Sequence, residues 1–220
     1  MKPVGGEVEI PVGGVVLHGD LQPARGPEAA RGIVIFAHGS GSSRFSPRNR
    51  SVAQYLREQG LGTLLFDLLT ADEERADMTT RRYRFDIGLL APRLAAVAEW
   101  LAVQQPETAL GYFGASTGAA AALVAAAEAP KLIRAVVSRG GRPDLAGDAL
   151  EHVRAPTLLI VGGEDHAVLR LNESSLARLR CEKKLVVVPG ATHLFEEPGT
   201  LDEVARLAAA WFVAHFEAAE

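Results

Sequence analysis

The sequence predicts an α/β fold built on one mostly parallel sheet. Two observations carry that prediction. Short apolar runs alternate with amphipathic helical stretches along all 220 residues, the pattern of parallel strands joined by crossover helices. The runs at 32–37 and 61–69 are nearly continuous rather than alternating, as expected of strands covered on both faces. The length suits a single domain.

In order along the chain, residues 7–11 and 14–20 are short extended stretches around Val12-Gly13-Gly14. Their alternation predicts an antiparallel hairpin at the sheet edge. Residues 22–31, with two prolines and a glycine, read as a loop. After the strand at 32–37, Ser46 and Pro47 mark a helix start, Val52, Tyr55 and Leu56 share one face, and Gly60 closes it. A strand at 61–69 carries Asp67 near its end. Residues 71–84 are charged and without an apolar pattern. Ile87, Leu90, Leu94, Val97 and Leu101 form one helix face running up to Pro106. A strand through Leu110, Tyr112 and Phe113 leads into an alanine-rich helix at 119–129. Strands at 133–137, 157–161 and 184–188 follow, with a polar connection at 138–154. A helix after Asp165 turns Leu169, Leu176 and Leu179 inward. The last helix opens on Thr200 and Glu203, at capping-box spacing, and carries Leu201, Val204, Leu207, Ala208, Trp211, Phe212 and His215 on its apolar face.

Bulk properties narrow the function classes. Hydrophobic content of 48% and charged content of 23% are those of a soluble globular protein. A net charge of −4 suggests no nucleic-acid partner. No apolar run approaches the ~20 residues of a membrane span. The lone Cys181 cannot form an internal disulfide, and the start of the chain lacks the apolar segment of a secretion signal. A cytoplasmic location is therefore expected; the oligomeric state is left open. No two histidines share metal-ligand spacing and no nucleotide-binding glycine motif occurs, so no metal or cofactor is expected.

The chemistry gathers where strands end, because parallel sheets place their sites at strand carboxyl ends. Gly114-Ala115-Ser116-Thr117-Gly118 lies between a strand and a helix, the context in which G-x-S-x-G exposes a nucleophilic serine. The same residues could also be an ordinary glycine-rich connection. Asp165 and His193 each follow a later strand, giving the order Ser, Asp, His. Serine needs an adjacent base, which His193 supplies, with Asp165 orienting the imidazole. Asp165 could instead cap the helix after it, leaving Asp144 or Asp67 as the acid. The backbone N–H groups of Thr117 and Ser40 are the expected oxyanion donors. His38 and His166 read as structural and solvated, and His18, His152 and His215 as structural. Gly41, Arg44 and Arg48 are candidate substrate contacts. Arg44, Arg48 and Arg50 after one strand and Arg81, Arg82 and Arg84 after another could orient a substrate carboxylate, or form a solvated rim against Asp72, Glu73 and Glu74.

His38-Gly39-Ser40-Gly41, Gly114-Ala115-Ser116-Thr117-Gly118 and the turns at Asp165 and His193 together resemble the α/β-hydrolase superfamily, in its dienelactone-hydrolase-like branch. The likeness spans nearly the whole chain. It implies about eight strands in a mostly parallel sheet with helices on both faces, no cofactor, and a small-molecule ester or lactone substrate. Dienelactone hydrolases proper use cysteine where this chain has Ser116, which favours carboxylester hydrolysis; thioesterase, perhydrolase or other acyl-transfer chemistry on the same triad, and a non-catalytic binding protein that kept the fold, are the alternatives. A lid usually enters after the strand ending near Val137; the connection here is too short for one. An open, shallow site without long-chain lipase activity is therefore expected.

Overall fold

A computed structural model describes residues 5–25 and 32–217; part of the loop expected at 22–31 lies outside them. The strands are β1 (Gly6–Val12), β2 (Val15–Gln22), β3 (Ile33–Ala37), β4 (Gly62–Phe66), β5 (Leu110–Ala115), β6 (Ile133–Arg139), β7 (Thr157–Gly162) and β8 (Lys183–Val188). The helices are α1 (Pro47–Glu58), α2 (Ala71–Thr80), α3 (Ile87–Gln104), α4 (Thr117–Glu128), α5 (His166–Arg178) and α6 (Thr200–Glu217). The eight strands form one sheet in the order β1-β2-β4-β3-β5-β6-β7-β8. β2 runs antiparallel to β1 and β4, and all other pairs are parallel. The hairpin turns at Gly13 and Gly14, both with positive φ (53° and 90°), a conformation that suits glycine and matches strand twist.

Alternation along the central strands explains the two cores. In β3, Ile33 and Ile35 face α3 and α4, while Val34 and Phe36 face α1 and α6. Both sides are apolar because helices cover both. α1 begins as its punctuation predicts: the Ser46 hydroxyl accepts from the Asn49 N–H, and Pro47 opens the helix. α3 is apolar and long enough by composition to cross a membrane. Here it packs on β1 and α4, with Leu90, Leu94, Val97 and Leu101 buried.

Several elements depart from the sequence reading. Residues 71–80 are helical, and the capping box lies at this helix, not at α6: the Thr70 hydroxyl accepts from the Glu73 N–H while Glu73 accepts from the Thr70 N–H. The Thr200 hydroxyl instead donates to the Glu197 carbonyl, and Glu203 pairs with Arg206. α5 buries Val168, Asn172 and Ser175; of the residues expected to face inward, Leu179 is buried and Leu176 packs on the core, while Leu169 is only half-buried, and Asn172 donates to the Gly141 carbonyl. The connection after β6 folds into a 3-10 segment (Pro143–His152) packed on α4 and α5, so no lid domain intervenes between β6 and β7.

α2 is docked through polar contacts. Arg93 on α3 grips Glu73 with both terminal nitrogens, at 2.7 and 2.6 Å, and also donates to the Leu68 carbonyl. The Arg93 hydrogen bonds bring the Glu73 carboxyl from an ordinary 4.5 down to about 2. A lowered folded-state value means the stabilisation is present above the unfolded value and fades as pH falls through the folded one. Glu73→Gln is expected to lower Tm at pH 7 by roughly 5 °C, the scale of a charge-assisted hydrogen bond of about 1.5–3 kcal/mol. The gap to wild type should close between about pH 4 and 2, as read by thermal melts across that window.

Candidate active site

Ser116 sits between β5 and α4 with φ 50° and ψ −122°. Serine tolerates this backbone only when its surroundings enforce it. They do: the Ser116 N–H donates to the Arg139 carbonyl (3.3 Å), and its own carbonyl accepts from Ala119 (3.1 Å) and Arg142 (3.0 Å). The flanking glycines are required by close approach. A Cβ on Gly118 would collide with the Ala37 carbonyl oxygen, and one on Gly114 with the Ala119 backbone. Gly39 packs less closely, where a Cβ would stand 3.1 Å from that of Ser116.

His193 follows β8 in a tight turn that closes when the Phe195 N–H donates to the Thr192 carbonyl. Phe195, at φ 56°, buries its ring in the α1–α6 core and anchors the turn. Glu197 holds the other end through the Thr192 N–H (3.0 Å) and hydroxyl (2.6 Å). Asp165 follows β7, and its carboxylate makes no helix-capping bond. It lies 2.6 Å from His193 Nδ1 instead. An ionised carboxylate only accepts, so Nδ1 carries the proton and Nε2 is left as an acceptor. The two other acids are engaged elsewhere: Asp144 with Arg142, and Asp67 with Arg44.

Ser116 and His193 line one cavity of about 270 Å³, together with Ser40, Arg48, Arg139 and Leu194. A second cavity of about 300 Å³ lies beneath α2, walled by Leu68, Leu69, Met78 and Leu90. Gly39, Ser40 and Ser42 border both. α2 therefore roofs the neighbouring space, not the one that holds Ser116.

The expected oxyanion donors are placed but not equivalent. Thr117 opens α4, where the first N–H groups have no carbonyl within the helix. The Ser40 N–H already donates to the Thr117 hydroxyl at 3.0 Å, a bond that an incoming anion would have to share or displace. His38 is structural: its Nδ1 meets the Gly39 carbonyl and its Nε2 accepts from the Leu68 N–H. Burial pushes its pKa below the ordinary imidazole value.

The arginines disperse. Arg44 turns away from the cavity, held by Asp67 through its N–H (2.8 Å) and side chain (2.6 Å), which corrects its reading as a substrate contact. The reason is that Asp67, at the end of the adjacent strand, offers a nearer carboxylate. Gly41 borders the cavity under α2 and not that of Ser116. Arg84 is bound to Asp77, Arg50 lies over Phe45, and Arg82 lies over Tyr83. Arg48 alone of the group reaches the Ser116 cavity. Arg139, expected in the polar connection at 138–154, belongs to β6, which runs two residues past Val137 and carries it to the site. Among the described residues no cluster of three or more His, Cys, Asp or Glu side chains is arranged for a metal ion.

Comparison with known proteins identifies the family and the fold. The dienelactone hydrolase family model matches residues 21–217. A crystal structure of dienelactone hydrolase from Anabaena variabilis is similar at 57% identity, covering 98% of this chain and 99% of that one, with a TM-score of 0.93. XC6422 from Xanthomonas campestris, described as an α/β serine hydrolase without a lid, shares the fold at 23% identity over 94% of this chain and 96% of its own, with a TM-score of 0.74. Proteins of two Mycobacterium tuberculosis strains, each named "Putative phosphoribosyl transferase", are 60% identical over 212 residues, which is 95% of this chain and 46% of theirs. The chain thus spans under half the length of those curated relatives. On the family match and the Anabaena structure together, the chain belongs to the dienelactone hydrolase family.

Proposed function

We propose that the protein is a serine hydrolase that cleaves small carboxylic esters or lactones through an acyl-enzyme. The observation that carries this reading is the His193–Asp165 contact at 2.6 Å beside a cavity shared with the strained Ser116. His193 Nε2 takes the Ser116 proton as the hydroxyl attacks the substrate carbonyl, and returns it to the leaving alcohol. Asp165 stabilises the imidazolium formed in between. The Thr117 N–H, at the positive end of α4, receives the developing oxyanion, joined by Ser40 as its bond to Thr117 is shared. Water, activated by the same imidazole, then releases the acid. The family match supports hydrolase chemistry, and the small, lidless cavity favours short substrates. The phosphoribosyl transferase name is not carried across, since it attaches to chains more than twice this length.

A fluorophosphonate probe is expected to label one residue, Ser116, and a panel of short esters to be turned over faster than matched amides. Absence of labelling under conditions that label a control esterase would remove Ser116 as nucleophile. Faster turnover of thioesters than of esters would reassign the leaving group and favour a thioesterase on the same three residues.

A further inference from the structure

We propose that Asn172 is a positioning residue for the Ser116, His193 and Asp165 triad, its buried amide clamping α5 to the turn formed by Gly140, Gly141 and Arg142. The word triad rests on the serine-hydrolase reading; the clamp itself stands on its own distances.

Asn172 faces inward from the middle of α5 and is fully buried. An apolar side chain would serve that face, as Val168 does one turn earlier. The amide instead donates twice, to the Gly141 carbonyl at 3.0 Å and to the Val168 carbonyl at 2.8 Å. Its Oδ1 is buried without a hydrogen-bond partner among the described residues. A buried amide that is only partly satisfied costs stability. Packing alone therefore does not account for an asparagine here, and what it holds does.

The turn it holds touches two of the three reacting groups. The Arg142 N–H donates to the Ser116 carbonyl at 3.0 Å, one of the bonds that fix the strained nucleophile backbone. Gly140, at φ 51°, packs on His193: a Cβ there would stand 3.1 Å from the His193 carbonyl oxygen and 3.6 Å from its Cε1. Gly141 follows, where a Cβ would strike the Ser138 hydroxyl and the Ala119 methyl. Two successive glycines give this turn little stiffness of its own. The third group is reached along α5, which starts directly after Asp165. About two helical turns separate Asp165 from Asn172. The clamp thus fixes the helix that carries the acid against the turn that braces nucleophile and base. Among the described residues, no other side-chain hydrogen bond joins α5 to residues 140–142; Arg178 reaches Asp148 and Glu151 instead.

A misplacement of about 1 Å can cost about 10²-fold in rate. Asn172→Leu keeps the volume and removes both donors. It is expected to lower kcat for a short aryl ester by about 10- to 100-fold, with KM within about two-fold of wild type. Fluorophosphonate labelling of Ser116 should slow by the same factor. Both are read well below the Tm of the variant. Wild-type kcat, with or without a lower Tm, is what a merely structural asparagine gives, and it overturns the proposal. A rise in KM with kcat kept overturns it too. A further readout does not depend on turnover: the ring nitrogen shifts of His193, measured by NMR at alkaline pH. Wild type should show the Nδ1–H tautomer, and Asn172→Leu a mixture of both tautomers. If wild type neither labels nor turns over an ester, the hydrolase reading falls, while these shifts still decide the clamp: unchanged shifts reject it. If Asn172→Leu does not fold, Asn172→Asp, of the same size, is measured in the same way. Failure of both variants to fold assigns Asn172 to stability and overturns the proposal.

Discussion

Ser116→Ala is expected to lower kcat for ester hydrolysis by about 10⁴-fold or more and to abolish fluorophosphonate labelling. The size follows from chemistry that has no substitute in the cavity. Without the hydroxyl, only water positioned by the oxyanion donors remains, and such residual catalysis is small. The substitution should leave the fold unchanged. The Ser116 backbone is held by Arg139, Ala119 and Arg142 through main-chain bonds that alanine keeps, and the structure gives the side chain no capping bond to lose. Steady-state kinetics with a short-chain aryl ester and a melting curve on the same preparation check both statements. Turnover within ten-fold of wild type would reject the assignment.

Asp165→Asn is expected to cost about 10⁴-fold in kcat while preserving substrate affinity. His193 Nδ1 must donate to an acceptor for Nε2 to face Ser116 unprotonated. The 2.6 Å contact with a carboxylate enforces that tautomer. An amide at 165 can turn its NH₂ toward Nδ1, which moves the proton to Nε2 and leaves the base unable to accept. Asp165 is 13% exposed and His193 40%, so the pair is partly shielded and its orientation matters more than in open solvent. Fluorophosphonate labelling of Ser116 should persist in this variant but at a much lower rate. Equal loss in KM and none in kcat would assign Asp165 to substrate binding instead.

Much of this arrangement was legible in the chain. Ser116, Asp165 and His193 each follow an apolar run, and parallel strands deliver run ends to one rim of the sheet. Ser46-Pro47 and Gly13-Gly14 act through local backbone chemistry, which neighbours in sequence suffice to define. The misreadings share a different cause. α2 docks through Glu73 and Asp77 rather than an apolar stripe, so hydrophobic periodicity carries no trace of it, although Thr70 and Glu73 at capping-box spacing were there to be used. Arg44 and Arg48 are close in sequence, yet the partner of Arg44 is Asp67, which follows a different strand, β4. Arg139 was hidden because a charged residue ending a buried run looks like the start of a loop. The Ser40–Thr117 bond spans 77 positions and leaves no local signature.

The outermost strands bear on how copies of this chain meet. β1 carries Pro11, which has no N–H to offer, with Glu7 and Glu9 along the same strand. β8 presents Lys183 and Lys184 at its start, both exposed. Unpaired strand borders invite another chain to extend the ladder, and proline and fixed charge discourage it. Lys183 is tied to the last carbonyls of α5, so a missing donor on one border and the charge of Lys184 on the other are what discourage end-to-end polymerisation.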